Sequence, residues 1–72
     1  MTITIHTPGR ETIPATAPDG ADRDAIVAAV EAAVRAARPG TRYVRAQFTA
    51  APMSRTGTVL INSEYAYWII DR

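Results

Sequence analysis

The sequence predicts an α+β domain in which one helix lies across one face of an antiparallel β-sheet of four or five strands. Three observations carry this. Residues 56–71, TGTVLINSEYAYWIID, hold the densest apolar material and three of the five aromatic residues. Residues 2–7 and 41–50 alternate apolar and polar side chains with the period of a strand. Residues 22–38 carry apolar residues at the 3.6 period of a helix.

Taken in order, TITIHT turns Ile3 and Ile5 one way and Thr2, Thr4 and His6 the other, which is a strand with one buried face. Pro8-Gly9 has the chemistry of a type II turn, with proline at i+1 and glycine at i+2. Residues 10–15, RETIPA, can return as a second strand. Pro14 has no N–H to give a ladder, so that strand belongs at a sheet edge. Residues 16–20, TAPDG, are loop.

The helix starts under a cap from Asp19 or Asp22, and Asp22 and Asp24 favour its positive end. Its apolar face is Ile26, Val27, Val30, Ala33, Val34 and Ala37. Asp24, Glu31, Arg35 and Arg38 lie opposite, with Glu31 and Arg35 at the pairing distance i, i+4. Ala25, Ala28, Ala29, Ala32 and Ala36 form a smooth flank, explained by helix propensity or by a second backbone packing there. Pro39-Gly40 ends the helix.

Beyond it, Val44, Ala46, Phe48 and Ala50 alternate with Tyr43, Arg45, Gln47 and Thr49, and APMSR is loop. In residues 56–71 the β-rich composition of both arms, with Asn62 and Ser63 between them, reads as a hairpin. Pairing Ile61 with Glu64 puts Val59, Ile61, Ala66, Trp68 and Ile70 on one face, and Thr58, Leu60, Tyr65, Tyr67 and Ile69 on the other. The last three strands form a meander. The expected core is Ile3, Ile5, Val30, Val34, Val44, Phe48, Val59, Ile61, Trp68 and Ile70.

Length and composition limit the function classes. Seventy-two residues make one domain, residues 1–72, which buries only roughly 60% of its unfolded surface. The absence of cysteine excludes disulfides and thiolate metal sites, and fits a reducing cytoplasm. No apolar run approaches the ~20 residues of a membrane span, and MTITIHTPGRE does not read as a signal peptide. The net charge is +1, but it is unevenly spread. Residues 11–31 carry five acids against Arg23, whereas residues 32–63 carry five arginines and no acid.

Catalysis, cofactors and metals find no motif. His6 is the single histidine and reads as a surface or strand-edge residue. Ser54 and Ser63 have no identifiable base, and the four glycines are scattered through turns rather than gathered into a phosphate loop. No small-molecule substrate and no enzyme activity are expected.

One helix covers one sheet face. The other face then presents Tyr43, Arg45, Gln47, Leu60, Tyr65, Tyr67 and Ile69 to whatever covers it. Tyrosine and arginine are enriched in protein interfaces, so the leading expectation is protein binding through this face, by a second copy of the chain or a foreign protein. The candidate partner-binding residues are Tyr43, Arg45, Gln47, Tyr65 and Tyr67, with Arg42 and Arg55 nearby. The alternative is nucleic-acid binding, with tyrosines stacking bases and Arg42, Arg45 and Arg55, joined by Arg38, holding phosphates. In size and element order the chain is similar to the small non-catalytic inhibitors that phages and mobile elements encode against host nucleic-acid-handling complexes, anti-CRISPR proteins included. That likeness is one of gross form. The expectation is a soluble, cytoplasmic protein that binds a macromolecule through its sheet face.

Overall fold

The computed structural model describes residues 1–71 of the chain. Its elements are β1 (Thr2–His6), β2 (Thr12–Thr16), α1 (Arg23–Ala37), β3 (Val44–Phe48), β4 (Thr56–Ile61) and β5 (Glu64–Ile70). The five strands form one sheet in the order β2-β1-β5-β4-β3, with every neighbouring pair antiparallel. The α+β architecture is the expected one, with five strands rather than four.

The order explains where the helix goes. β2 and β3 are the two edges, and α1 is the only segment joining them. The connection must cross the whole sheet, so the helix rests on β2, β3 and β4 and covers one face. β1 and β5 pair at the centre, with Ile3 opposite Ile70 and Ile5 opposite Trp68, which ties the two ends of the chain together. No helix among the described residues is long and apolar enough to cross a membrane.

Pro14 stands in edge strand β2 opposite Thr4. The flanking pairs, Thr7 with Glu11 and Ala17 with Met1, bond backbone to backbone. Ladder alternation then points residue 14 outward, where a missing N–H leaves nothing unsatisfied.

The core is Ile3, Ile5 and Ile13 against Ile26, Val30 and Val34, closed by Val44, Val59, Ile61 and Trp68. Ile13, Ala15, Ala17, Ile26, Ala46 and Ala66 join the expected set, while Phe48 and Ile70 are only half-buried at its margin. Trp68 is fully buried, donates its indole N–H to the Thr58 carbonyl at 3.0 Å, and meets the Phe48 ring edge-on at 5.0 Å. Its ring lies against Gly57, its cross-strand partner.

The helix follows its periodicity, with departures at Ala37 and Glu31. Asp22 is the cap, accepting from the Ala25 amide at 2.9 Å. Ala37 is exposed rather than part of the buried stripe, because the helix ends there, past the sheet. Glu31 does not pair with Arg35: it is half-buried and accepts from the Ala46 amide at 2.9 Å, while Arg38 pairs with Glu11 at 3.0 Å. Ala25, Ala28, Ala32 and Ala36 are exposed, and Ala29 packs against the core.

The first hairpin also departs from expectation. The Arg10 amide bonds the Thr7 carbonyl at 3.2 Å, but the left-handed residue is Arg10, with φ 68°, not Gly9. This is a turn closed by a left-handed residue in a G1-bulge-like position, not a type II turn.

Candidate functional site

The sheet face away from the helix is built by the alternation that builds the core. Register places Arg45 beside Leu60 and Leu60 beside Tyr65 in one row. The next row runs Gln47, Thr58, Tyr67, His6 and Thr12. Tyr43, Tyr65 and Tyr67 are 46%, 64% and 52% exposed, and Met53, in the loop before β4, is the other large apolar residue that reaches solvent so fully.

Between these rows lies a shallow open groove of about 220 Å³ lined by Tyr43, Arg45, Gln47, Thr58, Leu60 and Tyr65. β3 supplies one wall, β4 the floor and the start of β5 the other wall. Asn62 sets the position of Tyr43. Its Oδ1 accepts from the Arg42 and Tyr43 backbone amides, both at 3.2 Å, and its backbone N–H donates to the Tyr43 carbonyl at 2.8 Å. Its φ of 56° is left-handed, a conformation asparagine tolerates better than most residues. The β4–β5 turn thereby clamps the chain just ahead of β3 and holds Tyr43 at the mouth of the groove.

Four of the expected binding residues, Tyr43, Arg45, Gln47 and Tyr65, therefore line a single depression. Tyr67 shares the face but stands outside the groove, stacked on His6 with ring centroids 4.8 Å apart and planes 12° from parallel. His6 is accordingly not a strand-edge residue, since β1 lies between β2 and β5. Arg42 is exposed beside Tyr43 but does not line the groove. Arg55 is drawn elsewhere, its guanidinium donating to the Ile70 carbonyl at 3.1 Å.

Sequence reasoning did not single out Thr58 and Leu60 as groove residues, nor Asn62 as the clamp. The Ile61–Glu64 pairing already set the two former beside Tyr67 and Tyr65. What it lacked was the register of β3 against β4. The Asn62 contacts carried no sequence signal beyond a turn residue.

The arrangement offers hydroxyl, amide and guanidinium groups around a floor of Thr58 and Leu60. Among the described residues no three of His, Cys, Asp and Glu gather into a metal-binding group. Asp19 is held below the usual carboxylate range by a hydrogen bond from the amino terminus and by its charge, opposed by slight desolvation. It lies in the loop between β2 and α1 and takes no part in the groove. No known protein family, no curated protein and no solved structure matches the chain.

Proposed function

We propose that this is a non-catalytic binding protein that engages another protein through its uncovered sheet face. One observation carries the reading: three half-exposed or more exposed tyrosines stand on the same side of one sheet, beside Leu60 and half-buried Ile69. Tyrosine offers large, rigid contact area with few rotatable bonds and a hydroxyl at its tip, which suits a surface that is wet alone and dry in a complex. The likeness in size and element order to small phage-type inhibitors adds a class of partner, a host complex that handles nucleic acid.

A second reading, nucleic-acid binding, is favoured by Arg45 sharing a groove without a carboxylate with Tyr43 and Tyr65. It is the weaker of the two because, among the described residues, Arg45 is the only cation within the strands. A backbone track needs several cations.

Side-resolved photocrosslinking tests the proposal. A photoreactive residue at position 65 or 67 should yield adducts with a discrete protein in the cells that express the chain, and the same group at Ala28 or Ala32 should not. Adducts only from the helix positions would overturn it. Adducts with nucleic acid from position 65 would favour the second reading.

A further inference from the structure

We infer that the groove takes an acidic side chain of the partner, an Asp or Glu carboxylate of an extended peptide segment seated on Arg45 between Tyr43 and Tyr65. This rests on the protein-binding reading of the face and adds the chemistry of what is bound.

The first ground is where this chain's own carboxylates go. Asp19 meets the amino terminus at 2.9 Å, Asp22 caps α1, and Asp24 pairs with Arg23 at 3.4 Å. Glu11 holds Arg38, Glu31 holds the Ala46 amide, and Asp71 accepts from the Thr4 hydroxyl at 2.6 Å. Glu64 sits opposite Ile61, whose side chain belongs to the helix-covered face. None of these carboxylates lines the groove. Among the described residues Arg45 has neither an ion pair nor a hydrogen-bonding partner, yet its guanidinium offers five N–H donors in a fork that matches a carboxylate.

The second ground is the number of charges. Among the described residues Arg45 is the only cation in any strand, and the other groove residues are neutral: two tyrosines, a glutamine, a threonine and a leucine. One unpaired cation among neutral lining residues favours a ligand that brings one negative charge into the groove. A nucleic-acid strand carries a phosphate at every step and would leave most of them unanswered here. A peptide with a single acidic anchor answers the site in full. The groove, about 220 Å³ and open to solvent, has room for one acidic side chain.

The test selects decapeptides from a fully randomised display library on the wild-type chain. Affinities of the selected peptides are then measured for wild type, Arg45→Gln, Arg45→Lys, Tyr65→Ser and Ala32→Arg, with thymidine 20-mer and inorganic phosphate as parallel probes. The expected result is a fixed Asp or Glu in the selected sequences, an affinity about tenfold lower for Arg45→Gln, an unchanged melting temperature, and no binding of the 20-mer or phosphate. Arg45→Lys should fall between the two, keeping the charge but losing the fork. Selected peptides without an acidic position, undiminished affinity for Arg45→Gln, tighter binding of the 20-mer, or no selected peptide at all would overturn the inference. Peptides that lack an acidic residue but are lost with Tyr65→Ser would leave the protein-binding reading standing. Peptides indifferent to Arg45 and Tyr65 but lost with Ala32→Arg would remove both.

Discussion

Adding one methyl group at Gly57 tests the packing that divides the sheet into its two faces. Gly57 lies opposite Trp68 on β5 and Phe48 on β3, and is itself buried. A Cβ there would fall on the Trp68 ring and the Gln47 carbonyl, well inside the 3.0 Å that real Cβ atoms keep. Neither can yield easily. The indole is anchored by its bond to the Thr58 carbonyl, and the Gln47 carbonyl is backbone. Overpacking typically costs about 1–3 kcal/mol, and this site belongs at the upper end. A chain of 72 residues has about 4–11 kcal/mol of stability at roughly 0.05–0.15 kcal/mol per residue. Gly57→Ala should therefore remove about 3 kcal/mol and lower the melting temperature by about 12–24 °C. Urea unfolding followed by the fluorescence of Trp68, the single tryptophan, measures this directly. Gly9→Ala, where a Cβ meets nothing within 4 Å, is the control. A Gly57→Ala protein within about 0.5 kcal/mol of wild type would refute the placement of Trp68 over Gly57.

Four further substitutions probe the two sheet faces, the first turn and the β3 edge. Trp68→Ala should cost about 3–5 kcal/mol and leave so small a domain largely unfolded, whereas Tyr67→Ala, which loses mainly its stack on His6, should cost about 1 kcal/mol; paired circular-dichroism melts decide, and the reverse order would invert the two faces. Arg10→Gly should stabilise by about 0.5–1 kcal/mol, because the left-handed backbone at φ 68° strains any side chain bearing a Cβ; a loss of stability in the same melts would contradict the turn geometry. Glu31→Ala should cost about 1 kcal/mol and accelerate hydrogen exchange at the Ala46 amide, with other strand amides little changed; unchanged exchange at Ala46 would show that the carboxylate does not hold the β3 edge.

Most of the fold was readable because alternation and helical period are local signals. Ile61 facing Glu64, Trp68 turned inward, Tyr65 and Tyr67 turned outward, and Pro14 at an edge all followed from strand chemistry within a few residues. The groove needed more. It forms only when Arg45 is brought beside Leu60, and that register is set by contacts between segments 15 residues apart in sequence. Glu31 shows the same limit from the helix side. Its i, i+4 partner Arg35 was the nearest opposite charge in sequence, yet the carboxylate accepts from the edge N–H of Ala46 on β3, since a strand edge beside a helix offers a fixed donor. At the first turn, proline and glycine suggested one geometry, and the pairing of Thr7 with Glu11 required another.

The central claim is that the sheet face left bare by the helix is covered in the protein's working state. Hydroxyl-radical footprinting, performed on the purified chain and again in extract of the cells that express it, reads this face directly. Met53, exposed in the loop before β4, serves as the internal standard. The account predicts that Tyr43, Tyr65 and Tyr67 become several-fold less reactive in the extract relative to Met53. Equal reactivity of all three tyrosines in the two preparations would contradict it.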